Sequence, residues 1–157
     1  MPGRVDWVLL AYRLPREPST PRSSVWRKLR RLGATQLVDG LVALPRDPRT
    51  KEQLEWIAGE VVESGGDATI WLARIGTARS EREVIERMVE TITAEYQAVI
   101  ADAIAARDGD DATRLRVASR LRREFHRISQ RDYFPTPAKE RARRIVDSIS
   151  RPALVSA

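Results

Sequence analysis

The sequence predicts an α+β fold, with strands and helices alternating in its first half and helices filling its second. Two observations predict this. Up to residue 77, short apolar runs bounded by Pro and Gly alternate with apolar residues at helical spacing, and beyond it the helical spacing continues throughout. We therefore expect an α+β domain at residues 1–77 and a helical extension at residues 78–157, formed by a helical hairpin and a short C-terminal helix.

The first half contains four predicted strands and two predicted helices. The strands lie at residues 7–12, 35–38, 41–44 and 68–73, and the helices run from Ser23 or Ser24 to Leu32 and over residues 51–63. The Asp39-Gly40 pair between the second and third strands is typical of a tight hairpin turn. The order β-α-β-β-α-β predicts a ferredoxin-like core, in which four antiparallel strands carry both helices on one face.

The second half contains two long predicted helices and a short one. They lie at residues 81–106, at residues 113–129 with Leu115 and Leu121 facing inward, and from about Pro137 onward. The first long helix is acidic, whereas the second carries six arginines against Glu124. Antiparallel helices of opposite charge attract each other, which is one explanation for this asymmetry.

Composition excludes several classes of site. The 157 residues include no cysteine and one histidine, His126, so disulfides, thiol nucleophiles and zinc-thiolate sites are excluded. No phosphate-cradling Gly loop and no dinucleotide fingerprint occurs in the sequence. We therefore expect a protein that is not an enzyme and holds neither a metal nor a cofactor.

The charge balance favours anionic partners. The formal net charge is +6, and a basic protein attracts phosphate-bearing or oxyanionic molecules. The sequence has no apolar run long enough for a membrane helix and does not open with a signal-peptide pattern. These features predict a soluble cytoplasmic protein without a membrane partner.

The first predicted helix carries the strongest candidate for an anion or DNA site. Five cations lie off its apolar stripe, namely Arg22, Arg27, Lys28, Arg30 and Arg31. Guanidinium groups form bidentate contacts with phosphate or a tetrahedral oxyanion, and a helix N-terminus itself attracts anions. The alternative interpretation is a solvated helix face with no ligand.

A secondary basic patch lies on the return helix of the second half. It consists of Arg116, Arg120, Arg123 and Arg127. These side chains are spaced to track a DNA backbone through phosphate contacts, which would give salt-sensitive binding without base specificity. The alternative is that they pair with the acidic helix before them.

Two aromatic features accompany the charges. We expect the four tryptophans, Trp7, Trp26, Trp56 and Trp71, to pack in the core, although Trp26 lies next to the basic face.

The segment at residues 131–135 breaks the helical pattern. It predicts a packed corner with Tyr133 and Phe134 buried, or a ligand pocket.

The sequence resembles the N-terminal domain of the ChrB family of chromate-resistance regulators. The resemblance rests on these segments: residues 7–15 and 22–29, Gly33-Ala34, Asp39-Gly40, Leu44-Pro45, Gly65-Gly66 and residues 131–134. It implies a regulator that binds DNA near chromate-efflux genes and is released by chromate. It also implies the basic helix as the place where phosphate or chromate is contacted. Full-length ChrB proteins carry a second, C-terminal domain, and the resemblance predicts a short form that lacks it.

The sequence also suggests two alternative functions and one possible assembly. The chain is also interpretable as an accessory module that binds an oxyanion or a partner protein without binding DNA. Its predicted core is similar to that of small ferredoxin-like endoribonucleases, but those carry an acidic residue where the first strand here ends in Tyr12-Arg13, which argues against metal-assisted cleavage. The predicted fold also allows a homodimer formed through the sheet.

Overall fold

The computed structural model describes residues 3–151 of the chain. Within this range it contains four strands and five helices, which confirms the predicted α+β class with an antiparallel sheet. The strands are β1 (Trp7–Arg13), β2 (Thr35–Val38), β3 (Leu41–Pro45) and β4 (Asp67–Ala73). The helices are α1 (Thr20–Leu32), α2 (Pro48–Glu63), α3 (Ala78–Ala106), α4 (Asp111–Gln130) and α5 (Pro137–Ile149).

Strand β1 is one of the two inner strands of the sheet, whose order is β2-β3-β1-β4. It pairs antiparallel with β3, where Leu10 lies opposite Val42, and with β4, where Leu10 lies opposite Ile70. Val8 and Leu10 are fully buried, as expected for an apolar strand with a neighbour on each side. The continuous apolar run that predicted this strand therefore reflects its central position.

Helices α1 and α2 begin about one turn earlier than predicted. Pro21 and Pro48 lie in their first turns, where the missing N–H of proline leaves no bond unmade. In α2, the Asp47 carboxylate accepts a hydrogen bond from the N–H of Thr50, and the Thr50 hydroxyl contacts the N–H of Asp47 in return. Helix α2 packs against β1 and β4, and α1 packs beside α2.

The predicted Asp39-Gly40 hairpin is confirmed and is tied to the end of β1. Gly40 has a φ of 74°, a left-handed conformation that favours glycine. Its carbonyl accepts a 2.8 Å hydrogen bond from the N–H of Tyr12. A side chain on Gly40 would place its Cβ 2.5 Å from the Tyr12 carbonyl oxygen, so the turn has no room for another residue.

The chain divides into two compact units, Met1–Met88 and Val89–Ala157. The predicted boundary at residues 77 and 78 coincides with the start of α3, whereas the observed division lies inside that helix. The reason is that the first turns of α3 contribute buried side chains, such as Val84 and Met88, to the first unit.

A buried carboxylate on the first turn of α3 was not predicted. Glu81 is 7% exposed and accepts hydrogen bonds from the Arg4 Nε (3.1 Å), the Val5 N–H (3.0 Å) and the Trp7 indole N–H (3.2 Å). The sequence pattern predicted only that this helix is acidic and did not single out Glu81. Three donors satisfy its charge away from water, and this compensates for its burial.

The second unit has a core formed by the rest of α3 with α4 and α5. Its largest buried side chains include Tyr96, Leu121 and Ile128, and the Tyr96 and Phe125 rings lie 5.6 Å apart. The predicted inward position of Leu115 is wrong, because that side chain is exposed. Arg114 occupies the sheltered position instead, where it pairs with Asp111.

No helix within residues 3–151 combines the length and the apolar character needed to cross a bilayer.

Gly66 lies where the chain enters β4 and should not tolerate a side chain. A Cβ there would lie 2.3 Å from the Arg13 carbonyl oxygen and 2.9 Å from Val61 Cγ1. We predict that Gly66→Ala lowers the free energy of unfolding by about 1–3 kcal/mol. Gly59→Ala is the matched control, because a Cβ on that helical glycine meets nothing within 4 Å and should raise stability by up to about 1 kcal/mol. Urea unfolding of both variants measures the difference, and equal stabilities would contradict this account.

Glu81 should contribute to stability in a way that its exposed neighbour does not. We predict that Glu81→Ala lowers the free energy of unfolding by about 2–4 kcal/mol, because it leaves the donors of Arg4, Val5 and Trp7 without their acceptor. Glu83→Ala, which removes a surface carboxylate paired with Arg79, should change it by less than about 0.5 kcal/mol. Chemical denaturation followed by circular dichroism tests both, and a small loss for Glu81→Ala would show that water replaces the carboxylate.

Candidate anion and nucleic-acid interface

Helix α1 presents its arginines to solvent because its other side is buried. Val25 and Leu29 are almost fully inaccessible, and these two positions fix the rotation of the helix about its axis. The helix ends at Gly33, whose φ of 78° is left-handed, and the N–H of Ala34 donates to the Leu29 carbonyl at 3.1 Å. The four arginines of α1 point away from this anchored side and are exposed.

The exposed side chains form two parallel rows along the helix. Residues four apart lie on one side of an α-helix, which places Arg22, Trp26 and Arg30 in one row and Arg27 and Arg31 in the next. The Arg30 guanidinium lies 4.7 Å from the centre of the Trp26 ring, in a cation–π contact. We call Arg22, Trp26, Arg27, Arg30 and Arg31 the α1 basic face.

The arginines of this face have no acidic partner in the described part of the chain. Within residues 3–151, no carboxylate lies at ion-pair distance from Arg22, Arg27, Arg30 or Arg31. Lys28 differs from the other predicted site residues. It is half-buried and forms an ion pair with Glu60 of α2. The structure therefore brings four of the five predicted cations together as available positive charge and removes Lys28 from the set.

The N-terminus of α1 adds to the positive potential. Ser19 precedes the helix without a side-chain cap, and the first turn contains no acidic residue. Its backbone amides therefore add the positive end of the helix dipole to the charge of Arg22.

The charge of Arg22 also acts on the phenol of Tyr12. Burial raises the pKa of this phenol, Arg22 opposes the rise and Asp39 adds to it.

The predicted secondary patch is present on α4 but is partly neutralised. Arg116, Arg120, Arg123 and Arg127 follow at spacings of four, three and four residues, so they lie in one row, which we call the α4 basic row. Arg120 pairs with Asp102 of α3 at 3.3 Å, and Arg127 pairs with Glu124 at 2.9 Å. The alternative of pairing with the acidic helix therefore applies to one of the four arginines.

The predicted burial of the tryptophans is right for Trp7 alone among the four. Trp7 is fully buried, whereas Trp26 is 52% exposed, Trp56 is 71% exposed and Trp71 is also exposed. Trp71 lies on β4, an edge strand, and Trp56 lies on the outer side of α2. Apolar identity predicted burial at these positions, but it does not tell which face of an element meets the core.

The corner at residues 131–136 borders an open cleft of about 370 Å³ in the second unit. The cleft is lined by Asp132, Tyr133, Lys139, Glu140 and Arg143, among others, and Tyr133 and Phe134 are half-buried rather than buried. Glu140 accepts a hydrogen bond from Arg143, which lowers the pKa of that carboxyl. Equal numbers of cations and carboxylates line the cleft, so it is a weaker anion site than the α1 basic face.

His126 and the carboxylates do not form a metal centre in the described residues. His126 is exposed and contacts Gln130 at 3.1 Å. Within residues 3–151, no group of three or more His, Cys, Asp or Glu side chains is arranged to hold a metal ion.

Comparison with known proteins identifies the family. A family model described as "Protein ChrB, N-terminal" matches residues 22–108, more than half of the chain. The chain belongs to the ChrB N-terminal family. The predicted resemblance is thereby confirmed.

A curated ChrB relative extends the comparison. "Protein ChrB" of Cupriavidus metallidurans is 34% identical over 140 residues, which cover 87% of this chain and 43% of that protein. This ChrB-family chain therefore spans less than half the length of the relative. No solved structure shows a significant match to this chain. The family match begins at Arg22 and so includes the whole α1 basic face, whereas it ends before the α4 basic row.

Proposed function

We propose that this ChrB-family chain is a regulatory protein of chromate resistance that binds DNA through the α1 basic face and responds to chromate. The observation that carries the proposal is the set of four exposed arginines on α1 without a carboxylate partner in the described residues. Their free charge favours phosphate or a tetrahedral oxyanion, because guanidinium forks make bidentate contacts with both. Family membership supports the link with chromate.

We also propose a fold class, a location and a mode of DNA contact for this chain. We assign the first unit to the ferredoxin-like class, supported by its β-α-β-β-α-β element order and its central β1. The protein is cytoplasmic in this proposal, acts without catalysis, metal or cofactor, and contacts DNA through phosphates, with the α4 basic row as a secondary contact. A homodimer is compatible with it.

A second candidate function is an accessory module that binds an oxyanion without binding DNA. The uncapped start of α1 favours it, because backbone amides and the Arg22 side chain both attract anions there. Isothermal titration calorimetry with chromate, sulfate and phosphate distinguishes the two. Selective heat with chromate, together with no binding of any duplex at low salt, would favour the accessory module.

Charge reversal at Arg27 and Arg31, which form one row of the α1 basic face, should weaken DNA binding. We predict that the double variant Arg27→Glu/Arg31→Glu binds a fluorescein-labelled duplex at least about tenfold more weakly at low salt, because two phosphate contacts become repulsive. The slope of log affinity against log salt should fall by roughly one to two. Fluorescence anisotropy at several salt concentrations measures both quantities, with and without chromate.

The matched control is Arg79→Glu/Arg82→Glu at the start of α3. It changes the net charge of the protein equally at two exposed positions on another helix, and we expect a smaller loss of affinity. Equal losses in the two double variants would show that net charge, and not the α1 basic face, determines binding. No binding of the wild-type protein to any duplex would overturn its proposed role in binding double-stranded DNA.

A further inference from the structure

Trp26 is an exposed aromatic residue in the middle of a basic surface. The ring is 52% exposed although it directly follows the buried Val25, and Arg22 and Arg30 lie one turn before and after it. Its position on a helix of 13 residues, anchored by Val25 and Leu29, holds it more firmly than a loop would. Exposing so large an apolar group to water is costly. Its placement among arginines therefore favours a ligand that has both an anionic group and a flat ring.

The contact with Arg30 orients the ring. The guanidinium lies 4.7 Å from the ring centre, so a planar cation covers part of the indole while about half of the side chain stays accessible. Both groups are planar, and both side chains are accessible to solvent. Nucleobases stack on both kinds of surface, on aromatic rings and on arginine planes.

We propose that Trp26 and Arg30 form a stacking platform for an unpaired nucleobase, which gives the α1 basic face a preference for single-stranded nucleic acid. This inference rests on the proposed function, in that the same face binds nucleic acid, and it adds the class of strand. In a duplex each base is covered by its stacked neighbours, so a helix-borne ring cannot reach a base plane. A single strand exposes that plane.

The neighbouring charges fit such a strand. One turn of helix is about 5.4 Å long. Arg22, one turn before Trp26, therefore lies near a phosphate that flanks a base stacked on the ring. Arg27 and Arg31 in the adjacent row extend this positive surface. A positive groove with an interleaved aromatic residue is the usual arrangement for binding single strands without sequence preference.

Trp56 on α2 provides the contrast within the same fold. It is even more exposed, at 71%, but glutamates occupy the positions one turn before and after it, Glu52 and Glu60. A phosphate chain would be repelled from Glu52, so exposure alone does not create the proposed site. This pair of tryptophans offers a matched control for mutation.

The experiment compares three fluorescein-labelled probes by anisotropy: an oligothymidylate strand, an abasic strand of equal length, and a duplex. The abasic strand has the same phosphates but no bases. We expect the wild-type protein to prefer the oligothymidylate, and Trp26→Ala to bind it roughly tenfold more weakly, without a change in salt slope and with little change for the other two probes. Trp56→Ala should leave all three affinities unchanged.

Two further variants keep the result interpretable if Trp26→Ala folds poorly. Trp26→Phe retains an aromatic plane and should restore most of the binding to the oligothymidylate strand. Arg30→Lys keeps the charge but removes the planar guanidinium, so it should weaken binding to that strand more than to the abasic one. Circular dichroism verifies the fold of each variant.

The outcomes separate this inference from the proposed function. Equal affinity of the wild-type protein for the oligothymidylate and abasic strands, or equal losses for Trp26→Ala and Trp56→Ala, would overturn the stacking platform. If Arg27→Glu/Arg31→Glu still weakened duplex binding in that case, the proposed function would stand without it. Absence of binding to every probe would overturn both.

Discussion

The burial of Val25 and Leu29 fixes the direction of every charged side chain on α1. Two apolar residues four positions apart define the side of the helix that is removed from water, and the arginines at the remaining positions are left in solvent. Lys28 lies on the flank facing α2 and is neutralised by Glu60. One side of the helix therefore carries a cation that is paired with a carboxylate, and the other carries arginines without such a partner in the described residues. The proposed function rests on these arginines.

The start of this helix is held near the end of β1, where several parts of the first unit meet. The N–H of Tyr12 donates to Gly40 in the hairpin turn, and Gly66 approaches the Arg13 carbonyl as the chain enters β4. Arg22 is close enough to Tyr12 to affect the pKa of its phenol. The close approach of the backbone at both glycines leaves no room for a side chain at this end of the sheet.

Arginine has different roles on α1 and on the helices of the second unit. On α1 its charge is unpaired within the described residues, whereas on α4 and α5 several arginines lie next to carboxylates, for example Arg127 beside Glu124 and Arg143 beside Glu140. Surface ion pairs of this kind contribute little to stability, but they reduce the field that an approaching anion meets. The number of arginines on α4 and α5 therefore overstates the charge that a ligand meets there.

The sequence by itself determined the order of elements, the hairpin turn and the family. Local signals carry this information: Asp39-Gly40 requires a left-handed glycine, apolar periodicity separates strands from helices, and glycine ends α1. It also determined that arginines lie off the apolar stripe of α1, because that follows from helical geometry alone.

The tertiary structure decided which side chains are paired, buried or exposed. Glu81 is buried because Arg4, Val5 and Trp7 come from a distant part of the chain to satisfy it, and Lys28 is neutralised because α2 packs beside α1. Trp26 and Trp56 stay in solvent because their helices bury the sides that carry Val25 and Ile57 instead. Such outcomes depend on contacts between residues far apart in sequence, and no local pattern encodes them.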